Sequence, residues 1–198
     1  MDVIFLGFAY GGYAMFDIAR FIIQCEAAVA TDGGRKVVRE ILTAAVSDPA
    51  GIISALGEPR RAGDQVLHRS PRLTILHIAW PPSFTQTPHN HLLWAEIGVY
   101  RGREDNIFWR RTPDTKWSIE AIGAASLCAG RCLSLEHDVI HSVANPLDRV
   151  TAGLHVYGGD LSAGAPRSAW DGETLVEKTL DYLRDDLAVE TYNARLTD

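Results

Sequence analysis

The stretch PHNHLLWAE, residues 88 to 96, sets His89 and His91 one residue apart and follows them with Glu96 in an otherwise apolar run. Imidazole nitrogens and a carboxylate oxygen together suit a divalent cation, so the residue types and their spacing point to a metal cage. On a strand, residues two apart project to the same side, and His89 and His91 then offer two rings to one ion. Glu96, just past a short turn or bulge, brings a carboxylate toward the same point. The third imidazole has to come from another strand, and His141 in HDVIHSVANP, a β-prone run with Asn145-Pro146 behind it, is the choice. With seven histidines in 198 residues an HxH pair by itself is weak; the glutamate and the downstream histidine make coincidence much rarer.

A second pair of chemical groups stands in GLHVYGGDL, where His155 and Tyr157 alternate onto one face of a strand. The plain alternative is an interior tyrosine whose hydroxyl is satisfied. His137, between Glu136 and Asp138, reads as exposed loop, and His68 and His77 have no partners in the sequence. Cys128 and Cys132 lack the second cysteine pair of a zinc site and read as ordinary small residues.

These groups need a scaffold. From 16 to 30, Ile18, Phe21, Ile22 and Cys25 share a face at helical spacing, and 35 to 46 repeats the pattern with Val37, Val38, Ile41 and Leu42 until Asp48-Pro49 stops it. A short helical segment around Gly51 to Leu56 follows. Beyond Pro59 come short β-prone runs: 73–80, 92–100, 107–110, 117–122, 134–135, 139–143 and 150–157. Gly102 to Asn106, Thr112-Pro113-Asp114 and Asn145-Pro146 punctuate them. Strands without intervening helices indicate a mainly β sandwich or barrel. Asp171 then reads as the N-cap of a final helix with Leu175, Val176, Thr179, Leu180 and Leu187 on its apolar face. The expected organisation is a leader over 1–15, a helical segment over 16–58 packed on a barrel over 59–165, and a C-terminal helix and tail over 166–198.

A formal charge of -6 with both signs mixed along the chain gives no cationic stripe for a phosphate backbone, so nucleic acid is excluded as a partner. The apolar opening MDVIFLGFAYGGYAMF is shorter than the roughly 20 residues of a membrane span and lacks the positive start of a signal peptide. With three cysteines, an odd number too small for a disulfide scaffold, the expectation is a cytoplasmic protein with no membrane partner. A homodimer is left open.

HxHx4E followed by a distant histidine resembles the two-part signature of the cupin superfamily. PHNHLLWAEIGVYRGREDNIFWRR, HDVIHSVANP and GLHVYGGDL are similar to the bacterial members of its cysteine dioxygenase (thiol dioxygenase) branch, over roughly residues 60 to 165. The resemblance implies a cupin double-stranded β-helix barrel that holds Fe(II) through His89, His91 and His141. It implies a small thiol, cysteine or 3-mercaptopropionate-like, as substrate, with both atoms of O2 ending on sulfur as a sulfinate. His155 and Tyr157 would be the catalytic pair of that family's Ser-His-Tyr relay, the tyrosine donating to bound oxygen or substrate and the histidine orienting it.

Three departures accompany the match. Gly153 stands where the relay has serine. Glu96 stands where vertebrate enzymes carry the cysteine cross-linked to the tyrosine, so that thioether cannot form. The arginine that grips the substrate carboxylate falls near Gly63 to Gln65, where no arginine occurs. Glu96 as a fourth ligand would make a three-His, one-Glu cage of the kind that holds Mn, Ni, Fe or Zn, and with it an isomerase or a carbon dioxygenase; a non-catalytic metal-binding cupin is a third reading. For the anion clamp, Arg167 in APRSAW is preferred over Arg60, Arg69 and Arg72, because a planar guanidinium grips a carboxylate through two hydrogen bonds.

Overall fold

The computed structural model describes residues 15–113, 118–163 and 166–180. Three helices come first: α1 (Ile18–Val29), α2 (Gly34–Val46) and α3 (Pro49–Leu56). Asp17 caps α1 by accepting from the Arg20 amide at 2.9 Å, and Asp48 caps α3 through the Gly51 amide at 3.0 Å, with Pro49 in the first turn. Phe21, Cys25 and Ala28 form the buried stripe of α1. In α2 the buried face is Val38, Leu42, Ala45 and Val46, so the stripe is turned by one position from the sequence expectation and Val37 is exposed.

Eleven strands follow among the described residues: β1 (Gly63–Arg69), β2 (Thr74–Trp80), β3 (Phe84–Asn90), β4 (Ala95–Arg101), β5 (Arg103–Arg111), β6 (Ile119–Cys128), β7 (Arg131–Leu135), β8 (Ile140–Asn145), β9 (Thr151–Tyr157), β10 (Arg167–Trp170) and β11 (Glu177–Leu180). They make two antiparallel sheets, ordered β1-β2-β9-β4-β7 and β11-β10-β3-β8-β5-β6. The architecture is mainly β, two antiparallel sheets that share one apolar interior.

Two apolar layers hold it together. Leu76, Ile78, Ile97 and Val99 of the first sheet meet Leu127 and Val143 of the second inside the barrel. On the outer face of the first sheet, Ile75, Ala79, Leu154 and Val156 pack against Phe21, Leu42 and Ile52 of the helices. Each fully buried side chain of this size stabilises by about 1.5–3 kcal/mol. β2 and β9 are buried on both faces, which is why they read as continuous apolar runs. Gly98 lets α2 lie against β4: a Cβ there would sit 2.8 Å from Val46 and 2.9 Å from Leu42.

Three sequence expectations are corrected. The final helix does not form over the described residues. Asp171 accepts from the Glu173 and Thr174 amides to make a turn, and 177–180 pair with β10 as a strand. The apolar spacing fitted either structure, and pairing with an open sheet edge decided it; Leu187 lies outside the described residues, as do the leader up to residue 14 and Trp117. Second, Gly102 to Asn106 is a break only at Gly102 (φ 80), and from Arg103 the chain is strand. Glu104 and Asn106 are interior, while Arg103 and Asp105 between them are partly exposed and pair with each other. Third, the run from Leu92 becomes strand only at Ala95, because Leu92 takes a left-handed turn (φ 51).

Candidate metal centre

The register of the second sheet assembles the histidines. His89 of β3 is directly opposite His141 of β8, and a bulge between Gln86 and His89 shifts the pairing there. His91 lies one residue past the end of β3. The ring centroids stand 4.6 Å apart for His89 and His141 and 5.0 Å apart for His91 and each of the other two. One nitrogen from each ring falls within 4.8 Å of the others, and His91 Nε2 is 3.5 Å from His141 Nε2.

The outward nitrogens fix which face each ring presents. His89 Nδ1 donates to the Thr87 carbonyl at 2.9 Å, and His141 Nδ1 to Asn106 Oδ1 at 2.7 Å. Their Nε2 lone pairs are therefore turned inward, the arrangement that metal-binding histidines use. All three rings are buried. Burial pushes His89 down to about 4, and burial with the neighbouring imidazoles pushes His91 and His141 well below the usual histidine range. Arg167 adds to the depression at His91. Three neutral imidazoles with converging lone pairs fit a divalent cation, because a ligand has to be unprotonated to bind.

Tyr157 stands edge-on to His91 with ring centroids 4.9 Å apart, and its hydroxyl is 3.4 Å from His155 Nδ1. On the other side of His155, Nε2 lies 3.5 Å from a carboxylate oxygen of Glu104, an ion-pair distance. A Cβ on Gly153 would come 3.4 Å from the same nitrogen, so the side chain facing His155 comes from β5 instead of from position 153. Glu104 is 0% exposed and accepts from Trp80 Nε1 at 2.8 Å and Asn106 Nδ2 at 3.1 Å. Burial alone pushes this carboxyl up; His155, Trp80 and Asn106 together outweigh it and hold it below its ordinary value. Glu104 is thus an anion inside the barrel.

Glu104 and Asn106 are the residues that sequence reasoning missed. Both belong to the segment taken as a break, yet Glu104 is opposite Leu127 and Asn106 opposite Val143, two interior positions. The period-two spacing of Glu104, Asn106 and Phe108 was the available signal.

Two expected site residues lie elsewhere. Glu96 is outside the histidine cluster. Ala95 is opposite Tyr157 and Ile97 opposite His155, so the intervening Glu96 must project from the other face, toward the helices. There, 1% exposed, it accepts from Arg35 Nε at 2.8 Å and Ser134 Oγ at 2.6 Å. The three-His, one-Glu cage is corrected accordingly. Arg167 is buried and donates from Nε to the His91 carbonyl, from Nη1 to Leu161 O at 2.6 Å and from Nη2 to Ala163 O at 3.3 Å. It braces the main chain that carries His91, in place of the expected clamp on a substrate carboxylate.

The remaining histidines lie outside the cluster. His77 Nε2 is 2.8 Å from the Tyr100 hydroxyl, His68 pairs with Glu26 at 2.7 Å, and His137 is exposed.

No family model matches the chain, and no curated relative matches it. Solved structures similar in fold include an RmlC-like cupin with a double-stranded β-helix from Methanocaldococcus jannaschii, at 12% identity over 52% of this chain and 84% of that one, TM-score 0.43. KdgF from Halomonas sp. is 14% identical over 48% of this chain and 78% of its own, TM-score 0.38. The DMSP lyase DddQ from Ruegeria pomeroyi is 16% identical over 52% of this chain and 50% of its own, TM-score 0.42.

Proposed function

We propose that this chain is a metal-dependent oxygenase that adds both atoms of O2 to the sulfur of a small thiol, giving a sulfinate. The observation that carries the reading is the convergence of His89, His91 and His141 on one wall of an interior cavity that Tyr157 and His155 also line. Held by these three imidazoles, Fe(II) would provide a one-electron path between a closed-shell thiolate and triplet O2, with the sulfur giving up the four electrons that O2 takes; Mn, Ni or Zn suit the same donors.

The chain's own groups supply the rest. Leu76, Ile78, Val143 and Leu161 line the cavity, and an apolar wall excludes water from a reactive sulfur. The Tyr157 hydroxyl donates a hydrogen bond to the oxygen or sulfur atom on which charge gathers. His155 orients that hydroxyl, and the Glu104 carboxylate lies 3.5 Å from the far nitrogen of His155.

Anaerobic loading with Fe(II), followed by oxygen-electrode traces with cysteine, 3-mercaptopropionate and cysteamine, tests the reading. Thiol-dependent oxygen uptake with one sulfinate formed per O2 is expected. Fully loaded protein that consumes no oxygen with any thiol overturns it.

A further inference from the structure

The cavity above the histidines has a volume of about 40 Å³. A single water needs roughly 10–15 Å³ by the same measure, so the space takes a ligand of a few heavy atoms. One end is defined by the three histidines. At another part of the wall stands Asp64, which no step of the proposed chemistry uses.

Asp64 faces inward by register. It is opposite Ile78 in the β1–β2 pair, and Ile78 belongs to the barrel interior. Its surroundings push the carboxyl up through burial, countered only by the nearby His155, with no hydrogen bond to it among the described residues. No lysine or arginine lines this cavity among the described residues. The guanidinium nearest in role, Arg167, donates to three main-chain carbonyls. A half-buried carboxylate with no hydrogen bond and no lysine or arginine beside it is a standing cost that a positively charged ligand group removes and a second carboxylate worsens.

We propose that Asp64 selects the substrate: the site takes a small ligand whose far end is an ammonium or similar cation, and disfavours one ending in a carboxylate. Asp64 is then a specificity-determining residue. The inference rests on the thiol reading for what binds the metal, and on Asp64 alone for the far end.

The test uses whole protein loaded with Co(II) and titrated without oxygen, reading the thiolate-to-cobalt absorption band. Cysteamine and 3-mercaptopropionate differ at the far end, ammonium against carboxylate. Cysteamine is expected to half-saturate at a concentration about tenfold lower, and Asp64→Asn, which keeps the shape, to bring the ratio close to one. Equal affinities in the unaltered protein, or a ratio unchanged in Asp64→Asn, overturn the role of Asp64 while leaving sulfur ligation standing. If neither thiol gives a band, the thiol reading fails by itself. Thermal stabilisation by 2-aminoethanol against 3-hydroxypropionate then decides: a shift with the amine alone, lost in Asp64→Asn, upholds the inference, and equal shifts or none overturn it.

Discussion

Asn106 Oδ1 lies 2.7 Å from His141 Nδ1 while Asn106 Nδ2 lies 3.1 Å from the Glu104 carboxylate. The second contact settles the first. An anion can only accept, so the amide nitrogen must face Glu104, the amide oxygen must face His141, and Nδ1 of the ring carries the proton. The orientation of a candidate ligand is thus set by a carboxylate two residues removed from its partner on β5.

Asn106→Ala removes the acceptor that fixes this tautomer. Loss of such a partner typically weakens metal affinity by about 10–100-fold, and competition against a chelator reads it directly. Unchanged affinity would remove Asn106 from the site.

Glu96→Gln separates the barrel interior from its helical cover. The variant keeps full metal stoichiometry, since Glu96 meets Arg35 and Ser134 instead of the histidines. It loses roughly 1–3 kcal/mol of stability, because the Arg35 contact loses its charge and a buried hydrogen bond is disturbed. Metal analysis beside a thermal melt checks both, and a drop in bound metal would return Glu96 to the centre.

Acid should unfold the apo protein earlier than its surface charges require. Burial holds His77 and His89 down to about 4 in the folded chain, against 6.5 as the ordinary value. Between those limits the unfolded chain binds more protons, so stability is full above about 6.5 and falls as pH drops toward 4. Melting temperatures across that window measure the slope, and His77→Gln, which keeps a partner for Tyr100, should lessen it.

Tyr157→Phe deletes one hydroxyl and leaves the ring that contacts His91. Metal loading and thiol binding are expected to persist while kcat falls about 10²–10⁴-fold, the usual worth of one positioned proton donor. Glu104→Gln should lower kcat with little change in KM and alter the acid limb of the pH profile. A variant with only a raised KM would make Glu104 structural.

Much of the site was legible because chemistry leaves residue types behind. His89 and His91 stood in one short motif, and His141 was the histidine within a β-prone run ahead of a turn. Glu96 failed because the motif fixes order, not parity: the left-handed turn at Leu92 and the start of β4 at Ala95 decide which face each later residue takes. Arg167 failed because a guanidinium's use depends on which acceptors the fold delivers, and here they are carbonyls of distant segments. Glu104 and Asn106 were hidden because polar residues in a row resemble a loop unless the interior they point into is known.

The sequence by itself determined the helices, most of the strands and the presence of three histidines suited to a cation, since local periodicity and side-chain chemistry are properties of the chain. Only the tertiary structure decided that 177–180 extend a sheet, that Glu96 serves the helices, that Asp64 lines the cavity and that Glu104 is buried beside Trp80. Those outcomes depend on register between strands far apart in sequence, where a shift of one residue exchanges inside for outside.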